Sequence, residues 1–235
     1  MFDCAYLIEI LTPLRSDQEN AKNNLDRFAE RYRKIRDSGC GVSIPDNPMG
    51  RLRIKALEAI EMCSLRIDPQ RMVMNLNTFH TKDELDAVLN RASAMGVKYL
   101  LIIRGDGGPD LPRLNPRDIG GQKSIVTSID LTRYINTAYA DKFVTGAAFN
   151  PYKPIDFETK RLHQKMDAGA KFVITQPIVG RDPNVDRLKN LGIPVVIEAW
   201  MSKNIDLLYK SVGKKKYEST EAYDPVNNLN ALHDA

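Results

Sequence analysis

The stretch Gly96-Val97-Lys98-Tyr99-Leu100-Leu101-Ile102-Ile103-Arg104-Gly105-Asp106 decides the fold. Before it, Leu85, Val88, Leu89, Ala92 and Met95 recur at the spacing of one helix face. Thr81 with Glu84 three residues on is a capping-box start for that helix. Gly96 suits the left-handed position just past a helix end. The apolar run after it lacks the alternation of a strand with one wet face, so it reads as a strand buried on both sides, as in a parallel sheet. Outward along the chain the same order recurs. Gly39 leads to Cys40-Gly41-Val42-Ser43-Ile44, Gly169 to Ala170-Lys171-Phe172-Val173-Ile174, and Gly192 to Ile193-Pro194-Val195-Val196-Ile197. Leu25, Phe28, Tyr32 and Ile35 form another helical stripe, and Ile205, Leu208, Tyr209 and Val212 a last one. These stripes, like Met72 and Met74, are expected to be core.

Seven strands are predicted, near 6–11, 41–44, 72–77, 99–103, 143–149, 171–175 and 194–198. Strand and helix alternate at roughly 30 residues per unit, which suits a (β/α)8 barrel or an open doubly wound sheet. No GxGxxG follows the first strand, which weakens the second option. The expected fold is therefore α/β, a (β/α)8 TIM-type barrel incomplete at the last strand. Residues 1–213 are expected as a single barrel domain. Residues 214–235, with Lys214-Lys215-Lys216 and Pro225, are expected as a polar tail.

Composition narrows the function. The chain has 235 residues, 43% hydrophobic and 27% charged, which excludes a disordered chain. No apolar run approaches the length of about 18 residues that a membrane helix needs, so no membrane partner is expected. The start lacks the basic, apolar, small-residue order of a secretory signal. A net charge of +4, from 34 basic against 30 acidic residues, is too mild to suggest a nucleic-acid partner. Three widely spaced cysteines, Cys4, Cys40 and Cys63, form neither a disulfide framework nor a metal pattern; reduced thiols and a cytoplasmic location are expected. His80, beside a helix N-terminus, and His163, in a charged helix, are expected at the surface. No metal site, HExxH pattern or nucleophile elbow is present. Gly105-Asp106-Gly107-Gly108 lacks the Lys-Ser/Thr of a phosphate loop.

In a barrel, the C-terminal ends of the strands meet over one mouth, where chemistry is done. Glu9, Asn75, Asn77, Arg104, Asp106, Asn150, Thr175, Gln176 and Glu198 all fall at such ends. A carboxyl within a strand should titrate high when buried, which suits a general acid. Asp106 is an acceptor for a ligand's N–H groups, such as the donor edge of a pterin. Gln176 can donate and accept towards the same heterocycle.

Four segments, in order, resemble the methylenetetrahydrofolate reductase family over roughly residues 5–205. Ala5-Tyr6-Leu7-Ile8-Glu9-Ile10-Leu11-Thr12-Pro13 resembles FEFFPP, and Leu100 to Pro109 resembles LALRGDPP. Gly146-Ala147-Ala148-Phe149-Asn150-Pro151 resembles GVAAYPE, and Leu162 to Gln176 resembles LKxKxDAGAxFxITQ. The resemblance implies a (β/α)8 flavoenzyme that carries hydride from NADH or NADPH through FAD to 5,10-methylenetetrahydrofolate, giving 5-methyltetrahydrofolate. It implies Glu9 as general acid, with Asp106 holding the pterin beside the flavin. Gln176 would bind folate, and Asn75, in place of the His of HLTC, is grouped with it. Arg104, Asp130, Phe149, Glu158 and Lys165 would contact the cofactor, Glu158 standing where the family usually has Asp. The second-strand motif SVTYGAGG reads here Val42-Ser43-Ile44-Pro45-Asp46-Asn47-Pro48-Met49-Gly50, so Pro45 and Asp46 replace the Thr and Tyr that touch flavin. A flavin-free folate-binding methyltransferase is the alternative reading, and a non-enzymatic assembly subunit the third. A second copy or a partner methyltransferase subunit is the expected means of completing the barrel.

Overall fold

A computed structural model describes residues 1–121, 124–212 and 222–233. Seven strands alternate with helices: β1 (Leu7–Glu9), α1 (Ala21–Asp37), β2 (Gly41–Ile44), α2 (Ala56–Met62), β3 (Met72–Leu76), α3 (Lys82–Ala94), β4 (Tyr99–Ile102), α4 (Ser128–Ala138), β5 (Val144–Phe149), α5 (Ile155–Asp167), β6 (Phe172–Thr175), α6 (Pro183–Asp186), β7 (Val195–Val196), α7 (Ile205–Val212) and α8 (Pro225–His233). Every predicted strand is present, and the sheet order is the chain order, β1 to β7. This is the α/β, (β/α)8 TIM-type arrangement, incomplete in that no eighth strand occurs among the described residues. Among those residues, no helix is long and apolar enough to cross a membrane.

The chain divides into two compact units, one of Met1–Gly146 with Ala168–Ala170, the other of Ala147–Asp167 with Lys171–Ala235. In the first unit β1 to β4 are parallel, with Glu9 level with Ser43, Ser43 with Val73, and Asn75 with Leu101. Side chains alternate between the two faces of a strand. On one face Val42, Ile44, Met72, Met74, Leu76, Leu100 and Ile102 pack in one cluster with Phe28, Tyr32 and Ile35 of α1, Leu85 and Leu89 of α3, and Leu131 and Ile135 of α4. Leu85, Leu89 and Leu100 are fully buried, each contributing about 1.5–3 kcal/mol of transfer free energy. Alternation puts Glu9, Ser43, Val73, Asn75 and Leu101 on the other face. The helices start and stop where local chemistry says they should. Thr81 and Glu84 form the reciprocal capping box at the start of α3, and Gly39 and Gly96, past α1 and α3, take φ of 77° and 79°.

In the second unit, β6 pairs with β7 through Val173–Val195 and Ile174–Val196, and Gln176 N–H donates to Phe149 O of β5 at 2.7 Å. Lys214-Lys215-Lys216 lies outside the described residues. The rest of the expected tail is not all irregular: Pro225–His233 forms α8, whose buried Asn228 donates through Nδ2 to Ile178 O (3.1 Å) and accepts from Gly180 N–H (2.6 Å). Its buried residues are Pro225 and Asn228, neither of which an apolar helical stripe reveals.

Candidate active site

The first unit holds Glu9, Asn75, Arg104 and Asp106 at or just past the C-terminal ends of β1, β3 and β4. Glu9 ends the edge strand β1, and water reaches it. Protein nonetheless surrounds it enough that desolvation pushes its carboxyl above the ordinary glutamate range. Because the folded-state pKa lies above the unfolded one, the native state binds the extra proton, and stability falls as pH rises through that pKa. Glu9→Gln, which cannot ionise, should therefore gain stability over the wild type as pH is raised from about 4 to about 8. Thermal unfolding at both pH values checks this, and a gap that does not change with pH would contradict it.

Asn75, on the same sheet face as Glu9, is 7% exposed. Its Oδ1 is buried and has no hydrogen-bond partner among the described residues. An unpaired buried acceptor carries a desolvation penalty that a ligand's donor would relieve. Arg104 and Asp106 are both exposed. Arg104 O accepts from Thr78 N–H and Oγ1 (3.3 and 2.9 Å). Asp106 Oδ2 accepts from Met49 N–H at 2.8 Å.

One expectation fails outright. His80 is not at the surface: it is 2% exposed, with Nε2 2.7 Å from Asp46 Oδ2. The turn after β3 folds inward because Asn77 holds it. Asn77 Oδ1 accepts from Phe79 N–H (2.7 Å), Nδ2 donates to Asp46 O (2.8 Å), and its own N–H donates to Asp46 Oδ2 (3.1 Å). Asp46, Asn47, Asn75 and His80 line a cavity of about 40 Å3 together with Ile54, Leu57 and Met74, room for one or two waters. Helical position alone could not reveal His80's partner, which comes from 34 residues away. The signal available was Asp46, a carboxylate two residues past a buried strand. Among the described residues no cluster of three or more His, Cys, Asp or Glu is placed to hold a metal, and all three cysteines are free thiols.

Asp130, also in the first unit, closes a second capping box with Thr127 at the start of α4. Its Oδ2 accepts from Thr127 N–H (3.0 Å) and Thr127 Oγ1 (2.7 Å). In the second unit Phe149 has no exposed surface. Glu158 and Lys165, each 6% exposed, face each other from α5 with Nζ and Oε1 3.9 Å apart. Both brace the end of β5: Glu158 Oε1 accepts from Asn150 N–H (3.0 Å), and Lys165 Nζ donates to Ala148 O (2.5 Å). Burial pushes the Lys165 ammonium below its ordinary range, against the pull of Glu158. Of the five residues expected at the flavin, only Arg104 is thus open. The carboxylates and the ammonium are engaged within the chain, and they do not fit FAD held as the resemblance implies. The T-x-x-D of Thr127 to Asp130 was the readable sign of Asp130's local role. Gln176, half-buried, follows β6. Asn150 and Thr175 serve the fold: Asn150 Oδ1 accepts from Tyr152 N–H (3.0 Å) and Thr175 Oγ1 from Glu198 N–H (3.0 Å).

Comparison with known proteins adds the following. The family model described as methylenetetrahydrofolate reductase matches residues 7–199. Methylenetetrahydrofolate reductase 1 of Schizosaccharomyces pombe is 34% identical over 121 residues, 48% of this chain and 19% of that protein. Methylenetetrahydrofolate reductase 2 of Saccharomyces cerevisiae is 29% identical over 124 residues, 48% of this chain and 20% of that protein. The chain thus matches about a fifth of the length of these relatives. A crystal structure of 2,3-dimethylmalate lyase superposes with a TM-score of 0.49 at 13% identity, over 82% of this chain and 66% of that one.

Proposed function

The chain belongs to the methylenetetrahydrofolate reductase family, and from that premise we propose that it binds a reduced folate and reduces the 5,10-methylene form to 5-methyltetrahydrofolate. The observation that carries this reading is the pairing of a high-titrating carboxyl, Glu9, with an orphaned buried acceptor, Asn75 Oδ1, on one face of one parallel sheet. A fold alone does not need either group there.

In this reading Glu9 donates its proton to the bridge nitrogen of the substrate. The protonated nitrogen leaves, and the bridge carbon becomes an iminium on the other nitrogen. A hydride from a reduced nicotinamide, NADH or NADPH, then converts that carbon to the methyl group, and Glu9 regains a proton from water. A carboxyl that titrates high holds its proton nearer to neutral pH, as this role requires. Asp106 and Asn75 accept from the pterin's N–H groups. No step passes through FAD, because the residues assigned to it are occupied. The barrel domain of residues 1–213 and a cytoplasmic setting belong to the same proposal.

Asp106→Ala should weaken binding of tetrahydrofolate by about 1–3 kcal/mol, the range of a charge-assisted hydrogen bond. Calorimetry on the full chain reads this directly. Titration with FAD should leave the flavin spectrum unchanged, and nicotinamide oxidation should depend on added 5,10-methylenetetrahydrofolate. Failure of the wild-type chain to bind any reduced folate would overturn the reading.

A further inference from the structure

The loop after β2, residues 45–53, is strained at a place where packing does not demand it. Asn47 and Met49, neither of them glycine, take φ of 46° and 59°, and Gly50 follows at 66°. L side chains resist this region, and such residues persist only where their surroundings over-determine them. Met49 is 69% exposed, so burial of its side chain does not set its backbone.

Hydrogen bonds do. At the base of the loop the Asp46 carboxylate is held by buried His80 (2.7 Å) and by Asn77 N–H (3.1 Å). On the returning side Asn47 Oδ1 accepts from Arg53 N–H (2.9 Å), and Ile54 N–H donates to Pro13 O (2.9 Å). Between these anchors the tip meets the loop after β4. Met49 N–H donates to Asp106 Oδ2 at 2.8 Å. Gly50 and Gly108 approach so closely that a Cβ on Gly50 would lie 2.2 Å from Gly107 O, and one on Gly108 2.2 Å from Gly50 O. Only glycine permits that approach.

We propose that this loop is a clasp that positions Asp106 for its ligand. Met49 N–H fixes one carboxylate oxygen and leaves Oδ1 directed to a ligand's N–H edge, while the Asp46–His80 pair anchors the clasp from below. An exposed aspartate left alone samples several rotamers and must be ordered on binding. Holding it in advance removes that entropic cost from binding. Met49 and His80 act here as positioning residues, through Asp106 and not on the substrate. The inference rests on the reading of Asp106 as a folate-binding carboxylate.

A double-mutant cycle on tetrahydrofolate affinity, run on the full chain, separates the two ideas. Gly50→Ala wedges the loops apart and should weaken binding about tenfold, close to the loss from Asp106→Ala. In the Asp106→Ala background, Gly50→Ala should cause no further loss. Gly108→Ala applies the same wedge from the opposite loop and replaces Gly50→Ala if that variant does not fold, as judged by circular dichroism. Losses that multiply in the double variant, or wild-type affinity in both wedge variants, would overturn the clasp while leaving Asp106 in its role. An Asp106→Ala chain with undiminished affinity would remove Asp106 from the site and the clasp with it.

Discussion

Replacing Glu9 with glutamine is expected to lower turnover of 5,10-methylenetetrahydrofolate by about 10²- to 10⁴-fold, the range supplied by a positioned general acid, and to leave folate affinity nearly unchanged. The amide keeps the size and the hydrogen-bonding reach of the carboxylic acid, so the ligand should still dock. It has no acidic proton, so the bridge nitrogen remains a poor leaving group and the iminium does not form. Desolvation raises the Glu9 pKa, which increases the protonated fraction near neutrality. The wild-type rate should therefore fall as pH rises through that pKa, and the residual rate of Glu9→Gln should lack this limb. Steady-state kinetics across pH, with affinity measured separately, tests both parts. Equal rates for the two chains would take the acid role from Glu9.

Lys165→Met should destabilise the protein by about 3–5 kcal/mol, because it leaves Glu158 as a buried charge without its cation. It also removes the donor to Ala148 O at the end of β5. Glu158 still accepts from Asn150 N–H, but one peptide donor does not replace an ammonium. The paired change Glu158→Gln with Lys165→Met removes both charges and should recover a large part of the loss, since an apolar or neutral pair often matches a buried ion pair. Denaturant unfolding of the single and double variants reads the effect. A small, equal loss in both would mean that the pair contributes little to the fold, and would reopen Lys165 as a residue free for a ligand.

The two carboxylate positions Glu9 and Glu158 show how far sequence reasoning reaches. Glu9 interrupts an apolar segment inside a family-like motif, whereas Glu158 stands where the family usually has Asp. In the folded chain Glu9 remains open to water, whereas Glu158 is consumed by a peptide N–H eight residues earlier. The same division separates Asn75 from Asn77, two residues apart after identical patterning. Asn75 keeps an unpaired oxygen, while Asn77 spends its amide on Asp46 and Phe79. His80 belongs with Asn77. Its partner lies on another strand's loop, and no local pattern encodes that.

What the sequence determined by itself is therefore the alternation. Helical stripes ending in glycine, followed by runs apolar on both faces, specify parallel strands and covering helices, because period and burial are local properties of the chain. The strand ends that carry polar residues were fixed in the same way. Tertiary structure decided which of those polar residues are free. A hydrogen bond is short-ranged and directional, so a side chain's role depends on which groups folding brings within about 3 Å of it, and for Asn77 and His80 those include groups of Asp46, on a loop more than 30 residues away.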